Sequence, residues 1–289
     1  MLERAVGLDP AYAQAWDALG QRYYFDALYS DGGEAAFDRS DVALERAKTL
    51  DPDLISAAGN LSTNDVERGE LDKAYTEAEE LVKRRPENGL AHFSLAYILR
   101  YAGLLKEAQR ECDTALALDP GNYQFRSCAD AFFLDGNYQR AMEYLALDAG
   151  SNYSKRNEVE ILLHQGKKTE ALEKVHPLTE NLGMRLVEAC LEERPASEIE
   201  TLSKNAQSFA VSDPERRYAT AEFEAFCGKN KAALGLLRQA VEGGYCSYPA
   251  IDSDPLLASL RQTAEFQGIR PAAIDCQKKF LAYRNQHRQ

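Results

Sequence analysis

A period of 34 residues runs through the first half of this sequence and constrains its fold more than any other feature. The interval separates Pro52 from Pro86 and Pro86 from Pro120, and it also separates Gly69 from Gly103. A repeat of this length is one supersecondary unit that cannot bury its apolar face alone, so copies must stack. The period therefore predicts an array of similar units that share a continuous core.

The residues within one repeat predict a pair of helices. In the second repeat, the pattern predicts a first helix over about 53–68 and a second over about 71–84. Gly69 lies between them, where a left-handed residue can end the first helix, and Pro86 prevents the second from continuing. Ala74 recurs one period later and is small enough for two helices to approach closely.

The repeat resembles the tetratricopeptide-repeat (TPR) family. The family signature is matched by a set of residues in the first repeat: Trp16, Leu19, Gly20, Tyr23, Ala47 and Pro52. The resemblance implies an all-α fold, a right-handed superhelix of about seven helix hairpins with a C-terminal capping helix. We expect a single solenoid over 1–289, with the end of a partial repeat at 1–10 and the hairpins at 11–245.

The repeats are not uniform. Between Trp16 and Pro52 the first is about eight residues longer than the family pattern, which predicts two lengthened helices joined at Ser30-Asp31-Gly32-Gly33. The hairpins are expected to be degenerate after 150, with one around 184–210 whose loop contains Arg194-Pro195. Residues 246–289 are expected to form an extension and a cap, whose final helix runs from about 271 to 284.

The tail and the lengthened first repeat together resemble repeat regions at the C-termini of bacterial multidomain signalling proteins, notably Ser/Thr protein kinases. This resemblance implies a regulatory or substrate-docking arm. The chain opens on a segment typical of a second helix, Leu2-Glu3-Arg4-Ala5. Two alternatives therefore stay open, a free-standing scaffold and the C-terminal part of a kinase or a cyclase-like regulator. The kinase motifs His-Arg-Asp and Asp-Phe-Gly do not occur in this chain.

No motif for chemistry stands out. The sequence contains no Gly-rich phosphate loop, HExxH or GxSxG, and its four histidines (His92, His164, His176, His287) are dispersed. We interpret them as structural or surface residues and expect no enzyme activity, metal or cofactor. Two alternatives stay open: an enzyme with an unrecognised site, which should show a pocket with convergent titratable groups, and a self-association module.

Charge and cysteine usage suggest the partners and the compartment. The formal net charge of −12 disfavours nucleic acid, and no apolar run is long enough for membrane insertion. The six cysteines are far apart, without a CxxC pair. We interpret them as reduced thiols and expect a cytoplasmic protein.

The TPR resemblance also implies where a partner binds. In that family, the second, fifth, ninth and twelfth places of each repeat face an open concave groove. Carried onto this sequence, those places predict a groove formed by Gln14, Asp17, Gln21, Tyr24, Leu90, Phe93, Tyr97, Arg100, Gln124, Ser127, Tyr153 and Arg156. Tyr and Arg are enriched at binding hot spots, so the sequence predicts a scaffold for a protein or peptide. The alternative is that these aromatic residues only pack between repeats.

Overall fold

The structure is a computed structural model that describes residues 1–30, 32–178, 180–209 and 213–287. Over these ranges all regular secondary structure is helical, and no strand occurs. The predicted all-α class is confirmed.

Within the described ranges, seven helix hairpins follow a short first helix, α1 (Leu2–Leu8). In chain order they are α2 (Ala13–Tyr29) with α3 (Gly33–Leu50), α4 (Ile55–Glu67) with α5 (Leu71–Arg84), α6 (Gly89–Tyr101) with α7 (Leu105–Leu118), α8 (Ala129–Phe133) with α9 (Tyr138–Leu145), α10 (Asn152–His164) with α11 (Lys168–Val175), α12 (Leu182–Leu191) with α13 (Ala196–Phe209), and α14 (Pro214–Phe226) with α15 (Asn230–Glu242). The C-terminal extension contains α16 (Tyr248–Ser253) and α17 (Ala264–His287). Short 3₁₀ helices lie at Tyr123–Cys128, Ala146–Asp148, His176–Leu178 and Pro255–Leu257.

The repeated small residues act as the sequence predicts. Gly69 and Gly103 lie in the hairpin turns with φ of +85° and +71°, a region that side chains with a Cβ rarely adopt. Ala74 and Ala108 are fully buried where the two helices of a hairpin meet. Stacking of successive hairpins buries their apolar faces in several clusters, of which one runs from the second hairpin to α17 and another joins the fifth, sixth and seventh hairpins.

The first hairpin carries the predicted insertion in its helices. Its two helices have 17 and 18 residues, whereas α4 and α5 have 13 and 14. The extra residues therefore lengthen both helices, as expected. Of the predicted junction, Asp31 lies outside the described residues. The predicted degenerate repeat corresponds to α12 and α13, and its last predicted residue, Ala210, also lies outside them.

The prediction for the last helix is wrong at its start. Helix α17 begins at Ala264, so Pro271 lies inside it. The proline is exposed, and the carbonyl of Gln267 that it leaves without a helical partner lies on an exposed residue. Buried side chains on both sides of the proline, Phe266 and Phe280 among them, hold the helix against the core.

The C-terminal extension packs back onto the second and third hairpins. From α17, Gln277 Nε2 donates to the carbonyl of Ala102 at 2.9 Å, and Arg284 pairs with Glu107 on α7. Before α16, the amide of Cys246 donates to the carbonyl of Tyr101 at 2.9 Å. The extension therefore covers the side of the second and third hairpins and not only the end of the last repeat.

The seventh hairpin reaches the first three, so the array closes on itself. Arg216 of α14 donates to the carbonyl of Leu28 in α2 at 2.8 Å, across 188 residues of chain. Tyr101 donates to Asp213 at 3.0 Å. A Cβ on Gly69 would lie 2.6 Å from the carbonyl oxygen of Gly243, so the two turns meet only because the first is glycine. These contacts narrow the open groove expected from the sequence to a partly enclosed inner space.

All six cysteines form disulfides, and the prediction of reduced thiols is wrong. The pairs are Cys112 with Cys128, Cys190 with Cys227, and Cys246 with Cys276, with Cα–Cα distances of 5.8, 5.6 and 5.1 Å. Partners lie 16 to 37 residues apart in sequence and meet only through packing of the hairpins. Disulfides persist mainly in oxidising compartments, so the cytoplasmic expectation loses its basis. None of the described helices has the length and apolar character needed to cross a bilayer.

The disulfides lead to a test with thiol reagents. Protein made in an oxidising compartment and denatured without reductant is expected to show no reactive thiol in Ellman's assay. Replacing Cys112 and Cys128 together by alanine should lower the free energy of unfolding by about 3 kcal/mol, since the bond joins residues 16 apart in sequence and restricts the unfolded chain accordingly. Reaction of all six cysteines before reduction would show that the pairs do not form.

Candidate functional site

Closure of the array produces an inner cavity of about 360 Å³. Its walls come from the first helices of most hairpins, with α2, α4 and α6 on one side, α8, α10 and α12 beyond them, and α14 opposite. We call this space the inner cavity. It occupies the place where the family resemblance implies a groove.

Six of the predicted groove residues line the inner cavity: Tyr24, Tyr97, Arg100, Ser127, Tyr153 and Arg156. They come from four different hairpins, and closure brings them to one space. The structure thereby gives them a common location, while their role in binding stays a prediction.

The other predicted groove residues lie elsewhere. Gln14 and Gln124 are exposed, and Gln21 and Leu90 are half-buried outside the cavity. Asp17 is buried between repeats, where it accepts hydrogen bonds from Ser56 Oγ at 2.6 Å and Asn60 Nδ2 at 3.0 Å. Phe93 packs against Phe125 with ring centroids 5.3 Å apart. For Asp17 and Phe93, packing between repeats is the better description.

Glu67 is the polar centre of one wall. The hydroxyls of Tyr24 and Tyr97 both donate to its Oε1 at 2.7 Å. Its Oε2 is buried and has no hydrogen-bond partner among the described residues. Burial, together with the charge of Asp213, raises the pKa of Glu67 to about 8 despite the two tyrosine hydrogen bonds and Arg216. A cation that entered the cavity would lower this pKa again and favour the carboxylate, whose Oε2 could then accept a hydrogen bond from it.

Arg100 and Glu215 join the third hairpin to the seventh. Arg100 Nε and Nη2 each donate to one Glu215 oxygen at 2.7 Å, and Nη1 donates to the carbonyl of Ser127 at 2.8 Å. The guanidinium also lies 4.3 Å from the ring centroid of Tyr97. Burial raises the pKa of Glu215, although Arg100 opposes that rise. This bidentate pair is a main polar contact that closes the array.

Carboxyl groups outnumber cations around the inner cavity. Among the described lining residues there are six carboxyl groups and three guanidinium groups. The carboxyl groups belong to Glu67, Asp130, Glu160, Asp213, Glu215 and Glu222, and the guanidinium groups to Arg100, Arg156 and Arg216. Burial raises the pKa of Glu160 and of Glu222, because a buried carboxyl group loses the hydration that stabilises its charged form.

Sequence reasoning missed the wall formed by α14. The predicted groove residues all lie in the first five repeats, and none was predicted in the seventh. Tyr97, Phe93 and Leu90 lie 6, 10 and 13 residues before Gly103, and the same steps back from Gly228 lead to Glu222, Tyr218 and Glu215. All three line the inner cavity. Where a hairpin turn contains a glycine, that glycine is therefore a better reference than the drifting period.

The fold defines the class of protein, a TPR-like helical solenoid. Of the solved structures with a similar fold, the APC/C hetero-tetramer Cut9-Hcn1 is 17% identical with a TM-score of 0.56, and the match covers 93% of this chain and 58% of that one. A tetratricopeptide repeat protein from Parabacteroides merdae is 12% identical, with a TM-score of 0.49 and coverage of 90% and 99%. Yeast Tom70 is 12% identical, with a TM-score of 0.47 and coverage of 99% and 58%.

The likeness to Cut9-Hcn1 establishes the fold alone, since the identity is low. This chain spans little more than half the length of that protein. No family model matches the sequence, and a search of curated proteins finds no match.

Proposed function

We propose that this protein is a protein-interaction module that holds its partner by a basic side chain inserted into the inner cavity. The observation that carries the proposal is the excess of carboxyl groups on a cavity walled by tyrosines. About 360 Å³ suits a group the size of one side chain rather than a folded segment. The partner is therefore a protein or peptide that presents an arginine or lysine.

The chemistry of the walls supports a cationic group. Tyr24, Tyr97 and Tyr153 contribute aromatic rings, and aromatic faces attract cations. Within the protein, Arg100 already lies over the ring of Tyr97 and Arg156 over that of Tyr153.

Glu67 contributes the oxygen that has no partner. A guanidinium beside it would favour loss of the proton that burial retains, and the resulting carboxylate would accept its hydrogen bonds with good geometry. Asn152 at the edge of the cavity is exposed, which marks where a side chain can enter.

The wider role of the chain also belongs to this proposal. The resemblance to repeat regions of bacterial signalling proteins supports a regulatory arm, to which a partner docks. The net charge of −12 supports a basic partner and disfavours nucleic acid. Self-association through exposed outer faces is a further arrangement that light scattering would detect.

One observation favours a second candidate, an enzyme that acts on a small cation. Convergent titratable groups in an enclosed pocket are the feature expected of a catalytic site, and Glu67, Glu160 and Glu215 all have raised pKa values there. Recovery of a bound ligand separates the two candidates. A binding module releases it unchanged, whereas an enzyme converts it.

The proposal is tested by calorimetric titration with matched short peptides of glycine and serine that carry one arginine or one citrulline. Citrulline has nearly the shape of arginine without its charge. The arginine peptide is expected to bind at least about tenfold more tightly, which corresponds to roughly 1.4 kcal/mol. Glu67→Gln should weaken its binding, while Glu87→Gln, an exposed control, should not. Equal binding of both peptides, or binding of neither, would contradict the proposal.

A further inference from the structure

A histidine and two carboxyl groups meet behind the inner cavity. His164 Nε2 lies 2.8 Å from Glu222 Oε1 and 3.6 Å from Asp254 Oδ1. One ligand atom from each of the three lies within 4.8 Å of those of the other two. The side chains are only 3%, 2% and 1% exposed, so this is not a solvated surface cluster.

The three side chains come from separate elements that closure brings together. His164 ends α10, Glu222 lies in α14, and Asp254 follows α16 in the C-terminal extension. They are 58 and 32 residues apart in sequence, a spacing that no metal motif describes. This explains why the spacing of the histidines in the sequence did not predict a metal site.

Neighbouring groups hold the three side chains in place. Tyr218 donates its hydroxyl proton to Asp254 Oδ2 at 2.9 Å, and the amide of Leu256 donates to Oδ1 at 2.7 Å. The ring of Phe133 lies 4.3 Å from that of His164, centroid to centroid. Partners of this kind orient the ligands of metal sites before the ion arrives.

The local charge favours a cation. Glu222 and Asp254 are buried next to each other, and Glu160 adds a third carboxyl group from α10. Facing them are His164 and Arg156, whose Nε lies 3.6 Å from Glu160. Burial of carboxylates without matching positive charge is costly, and a divalent ion would offset that cost.

Two cavities give access to the cluster. Glu222 lines the inner cavity, and His164 and Asp254 line a second cavity of about 300 Å³ between the fourth hairpin and the C-terminal extension. Solvent on both sides can deliver an ion and complete its coordination with water.

We propose that His164, Glu222 and Asp254 bind one divalent transition-metal ion, with zinc as the best match. One imidazole nitrogen with two carboxylate oxygens suits zinc, whereas magnesium and calcium favour oxygen ligands alone. Water fills the remaining coordination. The ion links the fifth hairpin, the seventh hairpin and the C-terminal extension, so it stabilises the closed array. The site shares Glu222 with the inner cavity but does not depend on what binds there.

A second cluster offers a matched control. His176, Glu188 and Glu192 also come close enough to hold an ion, but two of the three are exposed. Arg194 already pairs with Glu188 at 2.9 Å and with Glu192 at 2.6 Å. The guanidinium of Arg194 therefore already occupies the place that a metal ion would take, and we expect no metal there.

The test is zinc binding by chelator-treated protein. After addition of zinc and dialysis, elemental analysis is expected to find one zinc per chain, with a higher melting temperature than that of the metal-free protein. Asp254→Asn and Glu222→Gln should each weaken zinc binding by at least about tenfold, while His176→Gln should not change it. Asp254→Asn keeps an oxygen for the amide of Leu256, and circular dichroism checks that both variants fold.

Several outcomes would overturn the proposal. One is a wild-type protein that retains no zinc and melts at the same temperature with and without it, a readout that needs no variant. Another is zinc retained equally by Asp254→Asn and Glu222→Gln. A third is zinc lost only on His176→Gln.

Discussion

Replacing Arg100 by methionine is expected to lower the free energy of unfolding by about 3–5 kcal/mol. Arg100 is 2% exposed and donates two hydrogen bonds to Glu215 and one to the carbonyl of Ser127. The variant leaves the Glu215 carboxyl group buried without its partner, which is the costly way to break an ion pair. Urea denaturation at neutral pH measures the loss.

Two controls show whether the loss comes from closure of the array. Arg22→Met removes an arginine whose side chain is 59% exposed and which pairs within one helix, so it should cost less than about 1 kcal/mol. Replacing Arg100 and Glu215 together by methionine should recover part of the loss, because the carboxyl group of Glu215 is then no longer buried without its partner, although Asp130 still loses its contact with Arg100. A loss at Arg100 no larger than that at Arg22 would mean that α6 and α14 do not meet in solution.

Replacing Glu67 by glutamine is expected to change how stability depends on pH. The pKa of Glu67 is about 8 in the folded protein and near 4.5 in the unfolded chain, so between those values the folded state holds a proton that the unfolded chain has released. The stability of the wild type therefore falls as pH rises through this window. The glutamine side chain in the variant cannot ionise, and its oxygen can still accept hydrogen bonds from Tyr24 and Tyr97.

The difference in stability between the wild type and Glu67→Gln reports the ionisation of Glu67 alone. Both keep Glu160, Glu215 and Glu222, whose own pH dependence largely cancels in the comparison. We expect near-equal stability at pH 4.5 and an advantage of a few kcal/mol for Glu67→Gln at pH 8.5, at about 1.4 kcal/mol per pKa unit. Parallel stability curves from pH 4.5 to 8.5 would show that Glu67 is solvated and outside a closed interior.

The hairpins could be predicted because they depend on local residues. Gly69, Ala74 and Pro86 act within a few positions of where they stand, and α5 has the predicted bounds, Leu71–Arg84. The lengthened first hairpin could be predicted because the spacing from Trp16 to Pro52 exceeds that of the family pattern. Within one hairpin, periodicity and turn residues contain most of the information needed.

Closure could not be predicted because it depends on contacts between residues far apart in sequence. Arg100 and Glu215 are separated by 115 residues, and Arg216 and Leu28 by 188. The repeat sets the pairing of neighbouring helices but not the total curvature, which sums small rotations over seven hairpins. The cluster at His164 was missed for the same reason, since it joins the fifth hairpin, the seventh hairpin and the C-terminal extension. The disulfides join neighbouring elements, but the spacing of the cysteines along the chain does not show which side chains face each other.

Closure also changes what the predicted groove can do. An open groove would bind an extended peptide along several repeats, whereas we propose that the inner cavity, lined by Glu67, Tyr97 and Tyr153 among others, binds a single group. Under this proposal, recognition of one basic side chain depends on the depth of the cavity and on the charge of its walls, and not on the length of the bound peptide. The family resemblance indicated several of the sequence positions that face the interior. The contacts between the seventh hairpin and the first three bring those positions close enough for the proposed binding of a basic group.

Small-angle X-ray scattering of the monomer tests closure most directly. A compact chain of this length has a radius of gyration of about 19 Å, and we expect the measured value to agree, with a pair-distance distribution of one symmetric peak. A clearly larger radius with a long tail in that distribution would indicate an open solenoid. In that case the inner cavity, and the sites built on it, would not exist in solution.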